Sequence, residues 1–429
     1  MVKTIINCNI FDYDNYKENQ YIRFDKEILE VGDMKDFKKN ENEEIIDFKG
    51  KLVMPGFVNG HTHIYSTFAR GMSVEFNPKS FSDILKQLWW RMDSKIDLET
   101  TYYSGLVSGI EFIKNGITTF IDHHASGSAI KGTLNELKKG LCDEIGLRGI
   151  FCFETSDRFN VNECIEENVE FAKNKNENHA GMFGLHASLS LSNETLKKVS
   201  ENLNGLPIHI HVAESLEDEE DSIAKYNKKV VERLKEFNLL NKNSILSHCV
   251  HIDEREAEIM SKYDIYVALN PTSNMNNAVG LPNYKLLKNH GIKTIIGNDG
   301  LGFNITREYL NLYYTQKYRY EDPTFFNFID LKNSIDNVYN LAGELLGIKI
   351  GRIKEGYKAD MISYDYTPFT PLSKNNIFGH VFFGIWDKLD VVDTIVNGEF
   401  LMKDRKVKYD ETKIYNEAKE VSKKLWKRL

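Results

Sequence analysis

Eight times along its middle, the chain sets down a short apolar run, closes it with a polar residue, and follows it with a stretch long enough for a helix. The runs are "LVMPGFVN", "GITTFID", "GLRGIFCFE", "GMFGLHAS", "LPIHIHVAE", "NSILSHC", "DIYVALN" and "IKTIIGND". Unbroken apolar runs are what parallel strands covered on both faces require. Eight strand–helix units predict an α/β fold, a (β/α)8 TIM barrel, whose chemistry gathers at the C-terminal ends of the strands. The residues that close the runs are therefore the first place to look for function.

The two ends of the chain have another texture. Segments such as "KTIINCNIFDY", "YIRFDKEILEVGD" and "EEIIDFKGKLVM" alternate polar and apolar positions, and the pattern returns in "ADMISYDYT" and "VVDTIVNGEFLMKDRKV". Such alternation reads as half-buried strands, and "NGE" as a hairpin turn. The expected organisation is a small β-sandwich domain built from both chain ends (residues 1–53 and 358–412), a barrel over 54–357 and a C-terminal helix over 413–429. "MDSKIDLETTYYSGLVSGIEFIKNG" has helical spacing and a closing Gly116. The segment before it, "IYSTFARGMSVEFNPKSFSDILKQLWWR", is long for a strand–helix connection. Long connections above a barrel are often lids. Phe81, Leu85, Trp89 and Trp90 would belong to such a lid, or would pack a helix onto the barrel.

With 429 residues, 41% hydrophobic and 12% aromatic, the chain can bury a large core. Its net charge of -8 argues against nucleic acid and anionic membranes, which demand clustered Lys and Arg. A small-molecule partner is expected instead. The five cysteines are scattered, odd in number and without a CxxC, so neither a disulfide frame nor a thiolate zinc site is indicated. The N-terminus turns polar too soon for a signal peptide, and no apolar stretch nears the ~20 residues a bilayer needs. These features fit a cytoplasmic protein.

At the run ends stand His61 and His63, His209 and His211 with Glu214 after them, His248 with His251 after it, and Asp299 in "IIGNDGLG". Alternate residues of a strand share a face, so His61 and His63 can both point to the barrel axis. Imidazole nitrogens with a carboxylate suit a divalent ion such as Zn²⁺. His211 and Asp299 complete that set, His211 being preferred to His209 for its place nearer the strand end. His209 is then structural or stands behind a ligand. His123 and His124, in "DHHAS", are read as loop hydrogen-bonding residues, with substrate contact the alternative. His186, after the fourth strand, is a better substrate contact. His179, His290 and His380 have no partner at a strand end and are read as structural, as is His251. "NPTSNMNNAVG" could read ring edges with its amides or simply form turns.

In this order, "PGFVNGHTH", "HIHVAES", "LSHCVH" and "GNDG" resemble the amidohydrolase superfamily, in its aminohydrolase and chlorohydrolase branch, which includes guanine, adenosine and S-adenosylhomocysteine deaminases. "HTHIYSTFARGM", "DHHAS", "GLHASLSLS" and "NPTSNMNNAVG" are similar, more narrowly, to the SsnA-type aminohydrolases. The resemblance implies one metal ion held by His61, His63, His211 and Asp299, zinc before iron. "GMFGLHASL" lacks the lysine that bridges two ions in other branches. It also implies Glu214, His248 and Asp299 as catalytic groups, Arg70 and His186 as substrate contacts, and a homo-oligomer, a dimer first. The expected reaction is hydrolytic deamination of an amino-substituted heterocycle such as a purine or pyrimidine. The ion would lower the pKa of a water, and Glu214 would shuttle protons. Hydrolysis of a cyclic amide and displacement of chloride remain open on the same scaffold, as does a metal-binding barrel without catalysis.

Overall fold

The computed structural model of the protein describes residues 1–300 and 302–429. Five strands precede the parallel set: β1 (Lys3–Phe11), β2 (Tyr16–Phe24), β3 (Ile28–Asp33), β4 (Glu44–Asp47) and β5 (Leu52–Pro55). The run "LVMPGFVN" is two strands rather than one. Pro55 has no N–H to continue a ladder, and the Gly56 N–H donates instead to the Asp360 carbonyl. A Cβ at Gly56 would lie 2.2 Å from the Thr118 methyl, so the chain passes this point only without a side chain.

The parallel set follows: β6 (Phe57–Thr62), β7 (Ile117–His124), β8 (Arg148–Phe153), β9 (His179–Gly181), β10 (Phe183–Ala187), β11 (Ile208–Val212), β12 (Ile245–His248), β13 (Tyr266–Leu269) and β14 (Lys293–Ile296). β6 to β9 pair in order as one sheet and β10 to β14 as another. The fourth run supplies β10, while β9 begins two residues before that run at His179 and is parted from β10 at Met182. Single parallel bridges link the two sheets, Thr155 to Leu185 on one side and Thr62 to Asp299 on the other. At the first seam a Cβ on Gly184 would come within 2.3 Å of the Phe153 carbonyl, so only glycine permits the approach. At the second, the N–H groups of Asn298 and Asp299 both donate to the His61 carbonyl. The result is a TIM-barrel-like α/β arrangement with apolar strands buried end to end.

After the helices Ile305–Tyr320 and Phe328–Leu346 come β15 (Met361–Tyr364), β16 (Asp393–Val396), β17 (Glu399–Lys403) and β18 (Lys406–Val407). They join the N-terminal strands in one nine-stranded mixed sheet, β18-β17-β16-β15-β5-β1-β2-β3, with β4 also pairing β1. The two chain ends therefore meet, in one continuous hydrogen-bonded sheet. Its wings share a core of Ile5, Ile22, Phe24, Ile46, Met361 and Ile395, and Gly398 backs directly onto the Asp25 carbonyl. The helix Glu411–Trp426 crosses the helix Leu98–Lys114, and its Trp426 indole N–H donates to the Phe68 carbonyl at 2.8 Å. Among the described residues no helix is long and apolar enough to cross a membrane.

The long connection after β6 forms a cover of three short pieces, Phe81–Ile84, a π-turn at Leu85–Trp89, and Trp90–Asp93. Ser80 caps the first through the Asp83 N–H. The π-turn inserts an extra residue in the helical winding, and Trp89 and Trp90 both face the cavity beneath it. Phe81, Leu85, Trp89 and Trp90 line that cavity, and Met92 beside them is core.

Candidate active site

Four residues from three strand ends converge: one side-chain atom each of His61, His63, His211 and Asp299 lies within 4.8 Å of all the others. Period-two alternation aims His61 and His63 the same way from the end of β6. Nδ1–H of His63 donates to the His123 carbonyl at 2.6 Å and Nδ1–H of His211 to the His186 carbonyl at 2.9 Å. Those bonds leave both Nε2 atoms as lone pairs, facing one another 3.1 Å apart. Nε2 of His61 is buried with no hydrogen-bond partner. Three lone pairs and a carboxylate converging without a donor among them fit a divalent cation. Burial brings His61 down to about 4 and keeps His211 well below the ordinary histidine value, which favours the neutral form that could ligate an ion. Burial works against charging His63 too, yet the Asp299 carboxylate 3.0 Å from its Nε2 lifts it to about 9.

Behind His61 runs a relay. With its Nε2 reserved for an ion, Nδ1–H of His61 donates to Nε2 of His209 at 2.8 Å. Nδ1 of His209 in turn faces the Cys152 sulfur at 3.7 Å. His209 thus stands behind a ligand and fixes its tautomer, the arrangement that orients metal-binding imidazoles.

Beside the ligand set, Glu214, His248 and Asp299 form a second group within 4.8 Å. Nδ1 of His248 bonds Asn274 at 2.9 Å, and its Nε2 lies 3.5 Å from Glu214 and 3.9 Å from Asp299. Burial raises the Glu214 carboxyl above its usual range, against the pull of His248. Asn277, from the amide-rich "NPTSNMNNAVG" segment, donates to Glu214 at 3.2 Å. Burial opposes ionisation of Asp299 as well, but the His61 and His63 rings, their Nε2 atoms 3.5 and 3.0 Å from its carboxylate, hold it well below the usual carboxylate range. The backbone is left-handed at Ala213 (φ 45°), His248 (φ 71°) and Asp299 (φ 55°). Non-glycine residues adopt this region at a cost of order 1–3 kcal/mol, and such strain clusters at functional sites. Buried Asp218 steadies one of these turns by accepting the N–H groups of Ala213 and Leu189.

His186 lines the cavity as expected, edge-on to Trp90, while Arg70 does not. Arg70 stacks over Phe303, 4.9 Å from the ring centroid, at the mouth of a neighbouring cavity that also reaches His63 and Asp299. His123 bonds the Leu185 and His209 carbonyls across the strands, and His124 bonds Ser126, so both spend their outer nitrogens on structure. His251 bonds the Val279 carbonyl. Three cavity-side residues escaped the sequence reading: Asp93, Glu154 and Arg158. Arg158 donates to both Asp93 oxygens, at 3.1 and 3.0 Å, and to Glu154 at 2.5 Å, and lies over the Trp90 ring. Burial raises both carboxyls, Asp93 to about 7, against the pull of that guanidinium.

The Amidohydrolase family profile matches residues 52–401. A 5-methylthioadenosine/S-adenosylhomocysteine deaminase of Carboxydothermus hydrogenoformans is 29% identical over 96% of each chain. A 5'-deoxyadenosine deaminase of Methanococcus maripaludis is 31% identical over 92% of this chain and 93% of its own. Among solved structures, an adenosine deaminase of Xanthomonas campestris with bound zinc superposes with a TM-score of 0.83 at 18% identity, over 99% of this chain and 98% of its own. An atrazine chlorohydrolase of Arthrobacter aurescens complexed with zinc gives 0.82 at 17% identity, over 98% and 100%. A fold shared from end to end, a family profile across most of the chain and a ligand set at the strand ends lead to one conclusion: the chain belongs to the amidohydrolase family.

Proposed function

We propose that the protein is a metal-dependent hydrolytic deaminase that releases ammonia from an amino-substituted nitrogen heterocycle, with adenosine derivatives the first class to try. The observation that carries this reading is the convergence of Glu214, His248 and Asp299 beside the four-residue ligand set. When bound to His61, His63, His211 and Asp299, a divalent ion, zinc before iron, acts as a Lewis acid and lowers the pKa of a water. Glu214, its carboxyl raised by burial, carries one proton to a ring nitrogen and, recharged with the proton that the water loses, a second to the departing amino group. His248, whose Nδ1–H is spent on the Asn274 oxygen, turns its Nε2 lone pair to the attacking water and orients it. Asp299 takes up the water's proton on its way to Glu214. Trp89, Trp90 and Leu85 cover the cavity and exclude bulk water.

The finer architecture belongs to the same proposal: a closed (β/α)8 barrel over 54–357, supported by the bridges at both seams, and a β-sandwich formed by 1–53 with 358–412. A cytoplasmic location and a homodimer complete the reading. Exposed Tyr318, Ile329 and Phe383 supply apolar surface for self-association.

The test is ammonia release by zinc-loaded protein from aminopurine nucleosides, aminopyrimidines and aminotriazines, beside Glu214→Gln. The variant is expected to keep its metal and lose about 10²–10⁴-fold in kcat. Release of chloride instead of ammonia, or ligand binding with no turnover in either protein, would overturn the reading.

A further inference from the structure

The cavity wall away from the metal ligands has an unusual polar inventory. Nε2 of His123 points at the Leu185 and His209 carbonyls and must donate, so its Nδ1, buried behind the cavity lining and without a partner, is an acceptor. Ser190 donates its hydroxyl to the Ala187 carbonyl and so receives Nδ1–H of His186 at 2.6 Å, which leaves Nε2 of His186 an acceptor. Between the two rings sits the Glu154 carboxyl, with one oxygen 4.0 Å from His123 and the other 4.0 Å from His186. Arg158 holds the second of these oxygens, and among the described residues no hydrogen bond reaches the first.

The remaining carboxylates of the cavity are already engaged. Asp93 gives both oxygens to Arg158, Asp218 gives both to backbone N–H groups, and Asp299 faces the ligand histidines. Among the described residues that line the cavity there is no lysine or arginine, since Arg158 lies behind the carboxyls it binds. The wall therefore offers an anion no cation: beside its acceptors stand only uncharged donors, the partnerless indole N–H of Trp90 and the hydroxyl and amide groups of Tyr65, Ser273 and Asn277.

We propose that Glu154, held by Arg158 and flanked by His123 and His186, is a specificity-determining residue that selects neutral or cationic substrates carrying N–H or O–H donors on the side away from the reacting amino group, and rejects substrates that bring an anion there. A donor with two hydrogens, such as an amino group, or a pair of neighbouring hydroxyls, satisfies acceptors that the folded chain leaves unmet. A carboxylate or phosphate would meet lone pairs and no compensating cation. This inference rests on the deaminase reading and narrows its substrate class.

The experiment uses zinc-loaded protein with adenosine, its 2',3'-dideoxy analogue and its 5'-carboxylate. Turnover is followed by ammonia release. Binding is followed separately in the Glu214→Gln background by quenching of Trp89 and Trp90, which line the cavity. Adenosine is expected to exceed the dideoxy analogue in kcat/KM by about tenfold or more, the worth of a charge-assisted hydrogen bond, with the carboxylate weakest. Glu154→Gln should erase both preferences, mainly through KM, while zinc content and melting temperature hold. If that variant does not fold, Glu154→Asp serves: it keeps the charge and is expected to retain anion rejection while weakening the donor preference. Equal loss on all three ligands, or tighter binding of the carboxylate by the unaltered wall, would overturn the proposal. Binding that ranks as expected with no ammonia from any ligand would overturn the deaminase reading and leave the wall's selectivity standing.

Discussion

His209 makes no contact with the cavity, yet the state of His61 depends on it. Its Nε2 accepts the proton that keeps the His61 lone pair turned toward the ion site. Removing such a partner weakens metal binding by about 10–100-fold without removing a ligand. His209→Ala is therefore expected to lose zinc to a chromogenic chelator at about 10–100-fold lower competitor concentration; unchanged affinity in a folded variant would show that the relay is mere packing. At this scale the sequence was legible where strand periodicity did the placing: His61, His63, His211, His248 and Asp299 all close apolar runs, and all arrive at one point. It was illegible where a role depends on which nitrogen carries the proton, as for His209, His123 and His186. Arg70 lay beyond a strand end, where no periodicity aims a side chain, and it stacks on Phe303. Glu154 was within reach, because it closes the run "GLRGIFCFE" and has Arg158 four residues on. Its third partner, Asp93, comes from the cover more than 60 residues earlier, and no local pattern announces that meeting.

The elements around the site carry their own titration signature. Glu308, on the helix Ile305–Tyr320, caps the short helix Pro271–Asn276 by accepting the Thr272 N–H at 3.0 Å. That helix brings Asn274 to His248. Burial pushes Glu308 up to about 7, against about 4.3 for an unfolded chain. Between these values the folded state holds a proton that the unfolded state has lost, so this group's contribution to stability falls as pH rises through the window. The slope reaches at most about 1.4 kcal/mol per pH unit, and above about pH 7 it flattens. Glu308→Gln does not titrate and can still accept from Thr272. Its melting temperature is therefore expected to gain on that of the parent protein as pH rises from 5 to 8. A gap that stays constant across that range would show that Glu308 is ionised throughout. The helix Ile305–Tyr320 was legible as the stretch after the last apolar run, whereas Pro271–Asn276 lies in the segment read as turns or ring-edge amides, and the π-turn at Leu85–Trp89 was hidden because an inserted residue leaves no mark in hydrophobic spacing.

At the scale of the whole molecule, the question is what joins the mixed sheet to the parallel strands. Arg148, at the start of β8, is fully buried and donates to Asp360 from Nε at 2.7 Å and from Nη2 at 3.2 Å. The same guanidinium reaches the Glu177 carbonyl and the side chains of Asn178 and Asn397. Asp360 also receives the Asn397 N–H and sits just before β15. One buried ion pair thus ties a barrel strand to the hairpin of the C-terminal strands. Two charges taken from water gain little over an apolar pair, but one charge left alone there costs about 3–5 kcal/mol. Arg148→Ala and Asp360→Ala are each expected to lower unfolding free energy by about that amount in urea titration, and the double variant by clearly less than their sum. Full additivity would mean that the two residues stabilise the fold independently, and the junction would then rest on the apolar contacts around Ile362, Gly116 and Val391. Losses well under 1 kcal/mol would mean that water reaches the pair on the time scale of the measurement. The arginine was visible in the sequence only as a charge at the head of an apolar run, a position where a barrel strand has no use for one unless another layer of structure supplies its partner.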